Sequence, residues 1–162
     1  MSKRQADIFM HKSERTVVVC FWPDEPPKQV FVRFAILCAM QVYDKSLWKR
    51  LRGENDVFAP FKWWKRWARA YLDGTDTSDG AAHDVVFRLV RGKYSAQFPP
   101  AIEEILWAVY GQRQYLDDNN VKDVVLLAMK DIMDCARKNF RTLDLEGAAK
   151  RALTAEKEGA PK

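Results

Sequence analysis

The sequence predicts a mainly α protein, a compact bundle of five to seven helices, and three observations carry that expectation. Apolar residues recur with helical spacing through most of the chain. The 7 glycines and 7 prolines among 162 residues are few, and several stand where helices begin or end. Only residues 16–22, Thr-Val-Val-Val-Cys-Phe-Trp, form a β-branched and aromatic run of the kind strands use. With 48% apolar and 30% charged residues, the chain fits one globular domain able to bury a core.

Residues 1–15 are polar and basic apart from Ile8, Phe9 and Met10, which predicts an N-terminal arm. The strand candidate at 16–22 ends at Pro23 and needs a partner. Residues 29–34 offer one, because Val30, Val32 and Phe34 alternate with Phe31 and Arg33, and a small hairpin over about 16–34 would result. The rival reading starts a helix at Pro27 and runs it to about Tyr43. The apolar run continues through Ile36, Leu37 and Met40, longer than a strand needs, and favours the helix.

The next signals are all helical. Asp44 or Ser46 caps a short helix that stops at Gly53, and Asn55 or Asp56 caps another with Pro60 in its first turn and Gly74 past its end. Ser78 or Asp79 starts a helix to about Arg91, closed by Gly92. Pro99 and Pro100 open one that reaches about Leu116, with Gly111 a weak point inside it. Asn119 or Asn120 caps the longest helix, whose Val121, Val124, Val125, Leu127, Ala128, Ile132 and Cys135 form a broad apolar face expected at the centre of the core. Thr142 or Asp144 starts a final Ala-rich helix. The expected organisation is thus an arm at 1–15, one helical domain at 16–153 and a charged flexible tail at 154–162.

Charge is distributed unevenly. The chain carries 27 Lys plus Arg against 22 Asp plus Glu. Residues 45–69 hold eight cations, Lys45, Lys49, Arg50, Arg52, Lys62, Lys65, Arg66 and Arg69, and only Glu54 and Asp56 as anions. The rest of the chain is left with 19 cations and 20 anions, so the whole positive excess is local. Local basicity is what binding to a polyanion needs.

Within that segment, residues 61–72 read Phe-Lys-Trp-Trp-Lys-Arg-Trp-Ala-Arg-Ala-Tyr-Leu. On a helical projection Lys65, Arg66 and Arg69 fall at ~300°, ~40° and ~340° from Lys62, one narrow face. Trp63, Trp64, Trp67, Ala68, Tyr71 and Leu72 fall on the opposite side, between ~100° and ~280°. Cations one turn, about 5.4 Å, apart meet successive phosphates of a nucleic-acid backbone, and each phosphate neutralised releases counterions. The bland reading of such a stripe is a solvated surface. The lack of acidic partners on it, inside the segment that holds the net charge, favours the polyanion. The tryptophans opposite read as core anchors, whereas Trp48 is a candidate for stacking on bases or on arginine. An anionic membrane or a peptide-binding groove also suits a basic amphipathic helix, but this apolar face is needed to build the core. Arg88, Arg91 and Lys93 extend the basic surface if their helix lies alongside.

Enzyme signatures are sparse. His83-Asp84 matches the first pair of a metal-dependent phosphohydrolase site, yet His11 is the only other histidine. The Asp/Glu-x-Lys pair of many nucleases is absent, and no phosphate-binding, dinucleotide-binding or nucleophile-elbow motif occurs. Cys20, Cys38 and Cys135 are widely spaced, which fits neither a disulfide framework nor a zinc site and points to a reducing cytoplasm. No cofactor is expected, and the longest apolar run is far short of a membrane span. The expected function is nucleic-acid binding, DNA or RNA, through phosphate contacts on residues 45–69, alone or as a small subunit of a nucleoprotein complex. The alternative is a protein-interaction module, an adaptor or inhibitor, that docks the same basic face on an acidic partner.

Overall fold

A computed structural model describes Trp22 and residues 26–52, 58–74, 98–111 and 118–154. Six helices are described: α1, Lys28–Val42; α2, Lys45–Arg52; α3, Phe58–Leu72; α4, Pro100–Gly111; α5, Asp118–Lys138; and α6, Leu145–Arg151. No strand occurs among the described residues. Residues 29–34 are helical, within α1. The arm at 1–15, the rest of the strand candidate, the helix expected from Ser78 or Asp79 to Arg91 and the tail beyond Thr154 lie outside the described residues, as does the stretch after Gly111 that was expected to extend α4.

Helix α1 is apolar on every side, so it can be stable only where other elements enclose it. Val30, Phe31, Val32, Phe34, Ala35, Ile36, Leu37, Cys38, Ala39 and Val42 are all buried. It packs against α3, α4, α5 and α6. The centre of the core is therefore α1 rather than the longest helix, α5, which packs chiefly on α1 and α4. Helix α5 is amphipathic instead: Val121, Val125, Ala128, Met129 and Ile132 are buried, while Leu127 stands 53% exposed on its outer side. It also starts at Asp118, ahead of the asparagines expected to cap it.

Boundary chemistry follows the sequence closely at two places. The Asp44 carboxylate accepts from the Leu47 backbone N–H at 2.8 Å, capping α2, and Asp144 accepts from the Gly147 N–H at 3.0 Å, capping α6. Gly74, just past α3, has φ 75°, a backbone conformation that favours glycine. The two ends of the chain's described part meet through α1. Arg33 donates to the carbonyls of Ala152 and Leu153 at 2.7 and 3.3 Å, where cations suit the C-terminus of α6. Trp22 donates its indole N–H to Ala149 O at 3.0 Å and packs its ring on Phe31 and Phe34.

Candidate nucleic-acid interface

Helix α3 divides its surface as its sequence pattern requires. Trp64, Trp67, Ala68, Tyr71 and Leu72 are buried, with Trp64 against Trp67 at 5.9 Å and Trp67 against Tyr71 at 5.6 Å between ring centroids. Lys62, Lys65, Arg66 and Arg69 are all exposed. From Lys62 to Arg69 the stripe spans about 10 Å at a rise of 1.5 Å per residue. No acidic residue occurs in α3. Lys65 lays its stem along the apolar boundary, its Nζ 5.7 Å from the Phe61 ring, so the charge stays in water while the methylenes cover Phe61.

Helix α2 packs against α3 and exposes Lys45, Lys49 and Arg50. It too contains no acidic residue. The side chain of Arg52 lies outside the described residues, as do Arg88, Arg91 and Lys93. Seven of the eight expected cations are thus placed, and all seven face solvent.

Trp48 is corrected by the structure. Its ring has no exposed surface and sits edge-on between Phe61 at 5.5 Å and Phe98 at 5.4 Å. A two-turn helix carrying Leu47 and Trp48 has little else with which to hold itself to the body, so the indole is spent as an anchor and is closed to ligands. Trp63 and Trp107 are half-buried, whereas Trp22, Trp64 and Trp67 are buried. No tryptophan among the described residues is fully exposed.

Among the described residues, the titratable groups away from this surface give no reactive constellation. Burial pushes the Cys38 thiol up, and the Asp144 carboxylate adds to the shift, so the thiol stays protonated and inert at neutral pH. Between α4 and α5, burial raises the Glu104 carboxyl to about 8, helped by a hydrogen bond with Asp131 and by the Asp131 and Glu103 charges. Its Oε2 is enclosed without a hydrogen-bond partner. Burial likewise raises the Tyr43 hydroxyl, which bonds to Cys135. Among the described residues no group of three His, Cys, Asp or Glu side chains is arranged to hold a metal ion, and no helix is long and apolar enough to cross a membrane.

One exposed aromatic residue is not legible in the sequence. Phe140 is 96% exposed beside the cationic end of α5, yet a phenylalanine reads as core by type alone. The available signal was its place, directly after Arg137, Lys138 and Asn139 at a helix end, where glycine is the usual residue. No protein family model matches the chain, and comparisons with curated proteins and with solved structures find no match either.

Proposed function

We propose that the protein binds nucleic acid by phosphate contacts on the basic surface of α2 and α3. The observation that supports this reading most strongly is the clean split of α3: four exposed cations on one face, buried tryptophans on the other. The aromatic side is occupied by the core, so the cationic side is what α3 offers to a partner. Lys62, Lys65, Arg66 and Arg69 form the primary stripe, and Lys45, Lys49 and Arg50 the flank. Cations spaced along one exposed helical face suit a run of backbone phosphates, so the contact is to backbone and is largely independent of sequence.

The test is the variant in which Lys62, Lys65, Arg66 and Arg69 are all replaced by glutamate. Fluorescence anisotropy with labelled DNA and RNA should show affinity falling by ~100-fold or more, with the far-UV circular dichroism unchanged. Unaltered affinity would move the interface off α3. A wild-type chain that ignores both nucleic acids at low salt would turn the reading toward an acidic protein surface, whose docking depends less steeply on salt.

A further inference from the structure

Helix α5 ends in a Schellman-type turn. The Arg141 N–H bonds to Ala136 O at 2.8 Å and the Phe140 N–H to Arg137 O at 3.4 Å. That closure requires a left-handed residue at position 140, and Phe140 has φ 56°, the only non-glycine residue with positive φ among those described. A bulky side chain is costly there, and asparagine, better suited to it, stands one position earlier. Asn139 is held by hydrogen bonds from its side-chain amide to Cys135 O at 2.8 Å and to Cys135 Sγ at 3.4 Å. The ring of Phe140 gains nothing for the core in return, because 96% of the residue faces solvent. Backbone strain and lost burial thus coincide at one side chain, and residues held in such strain cluster at ligand-contact and switch sites.

The surroundings specify the kind of contact. Arg137 and Lys138 precede the ring and are exposed, Arg137 in an ion pair with Asp134 at 2.6 Å. Arg141 follows it and pairs with the Asp44 carboxylate at 2.6 Å, the same carboxylate that caps α2. The turn is therefore fastened to the start of the basic helix, whose first residue, Lys45, is exposed. An exposed ring beside Lys138 and two ion-paired arginines, tethered to a basic helix, fits a ligand with flat apolar groups on an anionic backbone, and unpaired nucleotides have that chemistry.

We propose that Phe140 is a base-stacking residue that gives the protein a preference for single-stranded nucleic acid. This rests on the reading of α2 and α3 as the phosphate-binding surface and extends that surface across the Arg141–Asp44 ion pair to the end of α5. The cations hold the backbone of the strand, and Phe140 takes a base that a duplex would keep inside its stack.

The test compares the wild-type chain with Phe140→Gly and Phe140→Leu, using a labelled single strand of mixed sequence and a blunt duplex of the same sequence. Glycine suits the left-handed backbone, so Phe140→Gly should fold with an unchanged or higher Tm, and a binding defect could not be blamed on unfolding. The expected result is tighter wild-type binding to the single strand. The single-strand affinity should drop about 5- to 150-fold in Phe140→Gly, the range set by one base stacked on an aromatic ring, with duplex affinity unchanged. Phe140→Leu, apolar but not aromatic, should show most of the same loss. Unchanged single-strand affinity in Phe140→Gly, or equal losses for both ligands, would overturn the stacking role while leaving the basic surface standing. Absence of wild-type binding to either ligand would overturn both.

Discussion

Helices α1 and α3 have the same length, 15 residues each, and pack against one another, yet they use their surfaces in opposite ways. Helix α1 turns apolar side chains in all directions and is enclosed by four other helices. Its one mid-helix cation, Arg33, is consumed in holding the end of α6. Helix α3 gives half its circumference to the core and keeps four cations in water. A buried apolar residue in α1 therefore answers to packing alone. In α3, packing and binding fall on different residues, and substitution can separate them.

The largest expected effect lies on the buried face. Trp64→Ala removes a fully buried indole and should cost ~3–5 kcal/mol in urea unfolding. A loss below ~1 kcal/mol would mean that the ring is not an anchor and would invert the assignment of the two faces. An intermediate effect belongs to the α4–α5 contact. Glu104 has its carboxyl raised to about 8 in the folded state, so the native chain holds a proton that the unfolded chain releases. Its contribution is fully present below the ordinary carboxyl range, near pH 4.5, and is lost as pH rises through about 8. Glu104→Gln stays neutral, so its Tm should fall less than that of the wild type between those limits. Parallel Tm curves for the two proteins would show that Glu104 is not the responsible group. The smallest effect is expected on the exposed stripe, where Lys62, Lys65, Arg66 or Arg69 changed singly to glutamine should alter stability by ~0.5 kcal/mol or less. A larger loss at any of them would show that the cation supports the fold.

The same contrast separates what could be read in the sequence from what could not. The helical course of α1 follows from an apolar run too long for a strand, and the caps at Asp44 and Asp144 follow from local side-chain chemistry. The two faces of α3 follow from spacing alone. These are all local properties. That α1 and not α5 occupies the centre depends on how many neighbours surround each helix, which periodicity does not specify. Trp48 was misjudged for a related reason: Phe98, which helps enclose its ring, lies fifty positions along the chain, and only the folded structure brings them together. Phe140 escaped because its exposure is set by a backbone conformation at a helix end, and residue type says nothing of that.

The central claim is that the α3 stripe neutralises phosphates, and the salt dependence of binding tests it most directly. Wild-type affinity for a single strand, measured by anisotropy between ~50 and ~200 mM salt, should fall along a straight log–log line. Four phosphates met by Lys62, Lys65, Arg66 and Arg69 set a slope of about −3, and contacts from α2 steepen it. The four-glutamate variant should lose that slope together with its affinity. A slope near zero, or one that the four substitutions leave unchanged, would contradict the account.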